Sequence, residues 1–182
     1  MDPAGFDETG QLFIRGASET PQALPGDRKH PELGNDLGLL PVSIHQVVRA
    51  SSEAEGRDAY YAVDNYTRTW WQARAEDLEP WLEVRLMRPL LISACRILWR
   101  EPGLDYDRGV RPGPMCYVVE ARLGDEDSWQ VVVDARDNEV DLLIDQRSFP
   151  EVRANRIRLR VIGHPPGIGV GVIDFTVFGQ AE

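Results

Sequence analysis

Residues 155–161 read Asn-Arg-Ile-Arg-Leu-Arg-Val, a strict alternation of arginine with an aliphatic residue. Successive side chains of a β-strand point to opposite faces, so Ile157, Leu159 and Val161 share one face and the three arginines share the other. This pattern predicts a strand with one face in a hydrophobic core and the other face in water.

The same period of two recurs on both sides of this segment. Several short alternating segments separated by turn residues, without a long amphipathic helix, are typical of an antiparallel β-sandwich. The best helical candidate is a single turn near residues 58–63, and the last strand is predicted within residues 169–179. The other predicted inward faces are Leu82, Val84 and Leu86; Leu91, Ser93, Cys95, Ile97 and Trp99; Met115, Tyr117, Val119, Ala121 and Leu123; and Trp129, Val131 and Val133.

Composition excludes several classes of function. The 182 residues include 20 Lys and Arg against 30 Asp and Glu, for a formal net charge of −10. A surface this acidic repels phosphate, which argues against nucleic-acid binding and against adsorption to anionic membranes. No apolar run reaches the roughly 18 residues of a membrane-spanning helix. The first sixteen residues lack a basic region followed by an apolar one, so no signal peptide is predicted.

The chain divides into two parts of different character. Residues 16–38 are rich in Pro, Gly and charged residues and show no periodicity, so residues 1–43 are predicted to form an irregular arm. Residues 44–180 are predicted to form the sandwich. The chain has two cysteines; Cys95 lies on an inward face and Cys116 on an outward one, so free thiols are predicted rather than a disulfide.

Catalytic motifs are not evident. The three histidines, His30, His45 and His164, have no metal-binding spacing, and there is no nucleophile elbow or phosphate-binding P-loop. The glycine-rich residues 167–171 precede a strand rather than a helix, which favours a hairpin over a phosphate cradle. With so many acidic residues, carboxylate pairs arise by chance, and the sequence selects none of them for glycoside hydrolysis. We therefore assign no catalytic residue.

Five motifs follow one another along the chain: Ala50-Ser51-Ser52, Ala62–Trp71, Trp81–Leu86, Tyr117–Trp129 and Ile173–Gly179. They resemble the discoidin domain, or coagulation-factor type C domain, and specifically the family 32 carbohydrate-binding modules. The resemblance implies an all-β antiparallel jelly-roll sandwich of the galactose-binding-domain-like type. Arg85 stands where the family usually has Asp, and Met87 where it usually has Gly.

A second resemblance covers the arm. Residues 7–26 followed by a discoidin domain are similar to the C-terminal region of some family 43 glycoside hydrolases, in which a five-bladed propeller performs the hydrolysis. A chain of 182 residues is too short to contain that propeller. The resemblance therefore implies a non-catalytic carbohydrate-binding module, the accessory domain of a polysaccharide-degrading glycosidase. The alternative is a structural or docking domain that packs on a catalytic propeller or partner protein without binding sugar.

The resemblance also implies a structural calcium ion. Its loop ligands would be Asp64 and Thr69, and Asp174 on the last strand stands where the family often has Glu. Hard Ca²⁺ prefers six to eight oxygen ligands, and such an ion would tie the early loop to the closing strand. Because family members usually act outside the cytoplasm, the expected location is extracellular or periplasmic.

Sugar-binding side chains are expected on loops at one end of the sandwich. Aromatic rings stack on sugars while Arg, His and Asn bond their hydroxyls. The net charge favours a neutral glycan over an anionic polymer. Trp70 and Trp71 are adjacent, so one is expected in the core and the other at the surface. The carbohydrate-binding candidates are Trp71, Trp99, Arg100, Tyr106, Arg108, Arg111 and His164.

Overall fold

The structure, a computed structural model, describes residues 39–180 and, in backbone only, two short strands near the N-terminus. Among these residues the one helical element is a 3₁₀ turn, Ala59–Ala62, where the sequence predicts a single turn. The strands are β1 (Ala4–Phe6), β2 (Leu12–Ile14), β3 (Leu39–Pro41), β4 (Val47–Ala50), β5 (Trp71–Gln72), β6 (Trp81–Arg100), β7 (Cys116–Arg122), β8 (Gln130–Ala135), β9 (Ile144–Gly163) and β10 (Gly171–Gln180).

Every strand pair is antiparallel, which confirms the predicted all-β class. The main sheet runs in the order β3-β10-β6-β9-β7-β8, with β4 beside β6 and β5 beside β10. Strands β1 and β2 pair with each other. None of the described residues forms a helix long and apolar enough to cross a membrane.

Two 20-residue strands, β6 and β9, each take part in both layers of the sandwich. The start of β6 pairs with β4 and with the end of β9, while its second half pairs with β10 and with the start of β9. The register breaks between Arg85 and Leu90, and Pro89 lies in that gap. Proline has no N–H to donate, so it is tolerated where the ladder is already interrupted. The strands bend there from one layer into the other.

The core lies between the two layers and contains the predicted inward faces. Leu82 and Val84 of β6 and Leu159 of β9 are all fully buried. One segment departs from the prediction, because a register shift between Ile92 and Ala94 buries these two residues in place of Leu91 and Ser93. Leu123 and Val131, also expected inward, are 42% and 41% exposed. The largest fully buried side chains include Trp71, Trp99, Tyr117, Phe175 and Phe178.

Both cysteines are free thiols, as predicted. Cys95 is buried in the core, and burial raises the pKa of its thiol to about 12. A thiol that stays protonated is a poor nucleophile, so Cys95 acts as a small apolar core residue.

The sheet begins earlier than the predicted boundary at residue 44. β3 pairs with Phe178–Gln180 of β10, and Leu39 packs with Ala94 and Phe178 in a small second cluster. The remainder of the predicted arm, apart from the backbone of β1 and β2, lies outside the described residues.

The serines of the Ala50-Ser51-Ser52 motif have a structural role. Both hydroxyls donate to Oδ2 of Asp77 at 2.6 Å, and their own oxygens accept from the N–H groups of Trp81 and Arg74. Desolvation tends to raise the pKa of Asp77, but these hydrogen bonds outweigh it and the pKa is lowered. The motif thereby connects the end of β4 to the loop that leads into β6.

Candidate functional site

Two loops meet at one end of the sandwich. Residues 101–115 join β6 to β7, and residues 164–170 join β9 to β10. The Gly169 N–H donates to the Pro102 carbonyl at 2.7 Å, and the Ala73 N–H donates to the Val170 carbonyl at 3.0 Å. Backbone bonds therefore hold both loops to each other and to the segment after β5.

Glycine permits this close approach of the two loops. A Cβ on Gly103 would lie 2.5 Å from the carbonyl oxygen of Gly167, a distance that side chains do not tolerate. Both glycines also have positive φ, 91° and 81°, a conformation that other residues rarely adopt. A substitution at either position would push the loops apart.

The surface between the loops is a cleft of about 570 Å³, which we name the loop-end cleft. Its volume falls in the range of roughly 300–1,000 Å³ that is usual for small-molecule sites. Four prolines contribute to its wall, and Arg111 and His164 supply its charged and polar side chains. None of the lining residues is a carboxylate. The cleft is lined by Gly109, Arg111, Pro112, Gly113, Pro114, Cys116, Gly163, His164, Pro165 and Pro166.

A tight turn presents an aromatic ring beside this cleft. Asp105 and Val110 form an isolated antiparallel bridge that closes the turn. Tyr106 within the turn is 54% exposed, and the Arg111 guanidinium carbon lies 4.9 Å from its ring centroid. Arg108 is also exposed but lies 3.5 Å from the Asp105 carboxylate of the same turn. Tyr106 and Arg111 thus form a pair whose ring and guanidinium both face solvent.

His164 lies on the opposite side of the loop-end cleft. Its side chain is exposed, with Nδ1 3.4 Å from the Pro165 carbonyl oxygen. The neighbouring Pro165 is buried and packs close to Gly113. The prolines and the adjacent Tyr106 ring offer apolar surface, and Arg111 and His164 offer hydrogen-bond donors. A sugar ring with several hydroxyl groups can bind to such a surface.

Trp70 and Trp71 differ in burial, as expected of adjacent residues in an extended segment. Trp71, the carbohydrate-binding candidate of the two, is the buried one. It has no exposed surface, and its indole N–H donates to the Ser52 carbonyl at 2.8 Å. Trp99, which is 2% exposed, packs against Tyr117 at 5.5 Å between centroids. The expectation of a surface ring at Trp71 or Trp99 is therefore wrong in this structure, because both rings are core.

Trp70 is the half-exposed member of the pair, and two arginines cover it. The guanidinium carbons of Arg57 and Arg100 lie 3.3 Å and 5.1 Å from its ring centroid. Arg100 is consequently engaged with Trp70 rather than with the loop-end cleft. Of the predicted carbohydrate residues, Arg111 and His164 line the cleft and Tyr106 adjoins it.

Comparison with known proteins now identifies the family. The model of the F5/8 type C domain matches residues 47–172. The chain belongs to the F5/8 type C domain family. This confirms the discoidin resemblance that the five motifs carry. No curated protein matches the chain.

Solved structures share the fold of this F5/8 type C domain at low identity. Chitosan-binding module 1 of a Paenibacillus sp. IK-5 chitosanase/glucanase has a TM-score of 0.64 and 18% identity, over 76% of this chain and 98% of the module. Module 2 of that enzyme, in complex with chitotriose, has 0.63 and 20% over 76% and 99%. The family 32 module of Clostridium perfringens NanJ, in complex with galactose, has 0.60 and 19% over 77% and 98%.

Two of the three expected calcium ligands lie together in this F5/8 type C domain. The Thr69 hydroxyl donates to Asp64 Oδ2 at 2.7 Å and lies 2.8 Å from the Tyr66 carbonyl oxygen. The Tyr66 N–H donates to Asp64 Oδ1 at 2.9 Å. These hydrogen bonds hold the loop in shape.

The third expected ligand, Asp174, is engaged by a cation from the protein itself. Arg96 Nη2 donates to Asp174 Oδ2 at 3.0 Å, and the buried Thr176 hydroxyl donates to the same oxygen. A guanidinium thus already neutralises this carboxylate. Because Asp174 bonds to Arg96 while Asp64 bonds to Thr69, the three residues do not fit one shared calcium site.

We expect the melting temperature of the domain to be the same in calcium and in chelator. Replacing Arg96 with methionine leaves the mostly buried Asp174 carboxylate without its cation, and the loss of a hydrogen bond between charged groups should cost about 2 kcal/mol in unfolding free energy. Thermal unfolding with calcium and with chelator tests the first expectation, and unfolding of the Arg96→Met variant beside the parent protein tests the second. A melting temperature that rises with calcium concentration, as mass action requires of a ligand of the folded state, would show instead that Asp64 and Thr69 bind the ion.

Proposed function

We propose that this domain binds a carbohydrate in the loop-end cleft and serves as a non-catalytic accessory module of a polysaccharide-degrading glycosidase outside the cytoplasm. The observation that carries the proposal is the meeting of Arg111, His164 and the exposed Tyr106 ring around an apolar cleft. Structural neighbours bound to chitotriose and to galactose support the ligand class. The absence of a carboxylate from the lining supports binding rather than hydrolysis, which usually employs two.

A single sugar ring fits the chemistry of the cleft. Its C–H face would pack on Tyr106 or the proline wall, and its hydroxyls would accept hydrogen bonds from Arg111 and His164. The prolines have few conformations to lose, so ordering the wall costs little entropy on binding. The proposed ligand is thus a neutral glycan held by a few directional bonds on a rigid surface.

Replacing Arg111 with alanine tests the site. A hydrogen bond from a charged donor is worth about 1.5–3 kcal/mol, so we expect affinity for the bound glycan to fall by roughly 10- to 100-fold. Titration calorimetry with galactose and chitotriose, after a glycan array, measures it. Arg88→Ala, at an exposed position on the bend of β6, is the matched control and should bind normally. Equal glycan affinity of Arg111→Ala and Arg88→Ala would show that the glycan does not bind in the loop-end cleft.

A docking role is the second candidate, and one surface favours it. Val140, Leu142, Leu143 and Ile144 are 56%, 40%, 54% and 59% exposed just before and at the start of β9, with the exposed Asp141 among them. Exposed apolar runs commonly mark interaction surfaces. A docking domain would bind a family 43-type catalytic propeller added in trans, and Leu143→Glu would abolish that binding. The same domain would show no binding to any glycan on the array.

A further inference from the structure

A second cleft lies on the outer face of the sandwich layer formed by β4, the start of β6, the end of β9, and β7. Its volume is about 360 Å³, again within the roughly 300–1,000 Å³ of small-molecule sites. We name it the sheet-face cleft. It is lined by Val47, Arg49, Trp81, Glu83, Arg85, Arg122, Asp125 and Arg156.

Three arginines cross this face in one row. Arg85 of β6 is the register partner of Arg156 of β9, and Arg156 is also the partner of Arg122 of β7. Like charges directly opposite each other destabilise a sheet. With Arg49, the cleft has four cationic side chains against two carboxylates, although the whole chain has a net charge of −10. The row therefore creates a local positive potential that favours an anion.

Two carboxylates contact the row: Glu83 Oε1 lies 3.6 Å from Arg156 Nε, and the exposed Asp125 lies closer to it. Asp125, on the loop between β7 and β8, accepts at Oδ1 from Arg156 Nε at 2.9 Å and from Nη2 at 2.7 Å. The Asp125 side chain is 63% exposed, so a loop movement suffices to withdraw it. The Arg156 hydrogen bond lowers the pKa of Asp125, and the charges of Arg156, Arg122 and Arg85 lower it further. A carboxylate is thus the chemical group that this row stabilises.

The two arginines nearest Asp125 retain unused donors. Arg156 is 6% exposed, and its buried Nη1 has no hydrogen-bond partner among the described residues. Arg122 Nη1 donates to the Asp125 main-chain carbonyl at 2.6 Å, while its buried Nε lacks a partner within the same part of the chain. A guanidinium has five donors in a planar fork that matches a carboxylate. The row can therefore bind more acceptor atoms than Asp125 supplies.

One tryptophan lines the sheet-face cleft, and a second packs against one of its arginines. The half-buried Trp81 forms part of its lining. Trp129 lies against Arg122 and Arg158, with guanidinium carbons 4.4 Å and 4.2 Å from its ring centroids, and so holds Arg122 in place. An aromatic ring beside a row of arginines fits a ligand that is both cyclic and negatively charged.

We propose that the sheet-face cleft binds a carboxylate-bearing sugar of an acidic oligosaccharide. The sugar carboxylate takes the place of Asp125 at Arg156 and Arg122, and the sugar ring packs on Trp81. Asp125 is an internal competitor that leaves when the ligand enters. This site is separate from the loop-end cleft and does not rest on the function proposed there.

Calorimetric titration with trigalacturonate and with its fully methyl-esterified form, at equal ionic strength, tests the proposal. The ester keeps the rings but removes the charge, so we expect the free acid to bind at least tenfold more tightly. Asp125→Asn removes the competitor and should tighten binding about tenfold. Arg85→Gln and Trp81→Ala should each weaken it about tenfold. These positions are more exposed than Arg156, whose loss would disturb folding.

Arg88→Ala, at an exposed position outside both clefts, is the matched control and should bind trigalacturonate normally. Loss of that binding in Arg111→Ala would assign the acid to the loop-end cleft and overturn the proposal. Equal affinity for acid and ester, or no gain in Asp125→Asn, would also overturn it. The proposal would also be overturned if sodium sulfate displaced bound trigalacturonate as effectively as free galacturonate does, because the site would then bind any anion.

Discussion

Replacement of Trp71 with alanine is expected to lower the free energy of unfolding by about 4–5 kcal/mol, the upper end for a buried aromatic residue. The ring has no exposed surface, and Trp71 pairs with Val172 of the closing strand. Its indole N–H also donates to the Ser52 carbonyl, which would lose its partner. Since domains of this size are stable by roughly 5–15 kcal/mol, the variant should be close to unfolding at room temperature.

Urea denaturation followed by fluorescence and circular dichroism measures this effect, and Trp70→Ala is its matched control. Trp70 is the preceding residue and has the same side chain, but it is half-exposed and covered by arginines rather than by core. We expect it to cost about 1 kcal/mol, the usual size of a cation–π contact near the surface. A smaller loss for Trp71→Ala than for Trp70→Ala would contradict the assignment of Trp71 to the core.

Replacement of Asp145 with alanine should cost about 3 kcal/mol, as for a buried ion pair that loses one member. The Asp145 side chain is 2% exposed, and Arg147 Nε lies 2.7 Å from its Oδ1. Its Oδ2 accepts from the hydroxyl of the fully buried Tyr117 at 2.7 Å and from Arg147 Nη2 at 3.0 Å. Burial raises the pKa of Tyr117, and the bond to Asp145 raises it further, so the phenol remains a donor.

The chain contains a matched control for this pair. Asp134 and Arg136 have the same spacing as Asp145 and Arg147 and lie 2.7 Å apart, but their side chains are 52% and 55% exposed. Exposed ion pairs contribute roughly 0–1 kcal/mol, so Asp134→Ala should have little effect on chemical denaturation. Tyr117→Phe, which removes one hydrogen bond and leaves the ion pair, should cost about 1 kcal/mol. Equal losses for Asp145→Ala and Asp134→Ala would show that the buried network does not stabilise the fold.

Strands that bury one face and expose the other were predictable, but the start of β9 was not. Residues 155–161 alternate cleanly, and Ile157, Leu159 and Val161 are buried as predicted, but Arg156 on the predicted wet face is also buried, at 6% exposure. In residues 144–154, however, Ile144 is 59% exposed while Asp145 is buried, and Pro150 interrupts the pattern. Hydrophobic periodicity identifies a strand only when polarity matches burial. Here an acidic residue is buried because the distant Tyr117 and the nearby Arg147 both donate hydrogen bonds to it.

The loop-end cleft was predictable in part. Arg111 and His164 belong to the loops that the family resemblance marks, and Tyr106 follows a turn signal in the same loop. The proline wall carried no signal of a site, because Pro112 and Pro165 read as ordinary turn residues. Trp70 and Trp71 were expected to face opposite sides, but only the covering of β5 by β10 shows which of them is core.

The net charge of the whole chain does not predict the charge of each surface cleft. A net charge of −10 favours neutral glycans, yet Arg85, Arg122 and Arg156 lie side by side on one face. These residues come from three strands that are far apart in sequence. A net charge is a sum and carries no information about where cations meet.

The amino-acid sequence alone establishes the all-β class, the order of most strands along the chain, and the F5/8 type C family. These properties depend on the spacing of side chains along a strand and on motifs read in order, both of which are local to the chain. The pairing of Arg96 with Asp174, the loop-end cleft and the sheet-face cleft exist only in the folded molecule. Each depends on the register between β6, β7, β9 and β10, and register is a long-range property set by packing and hydrogen bonding between distant segments.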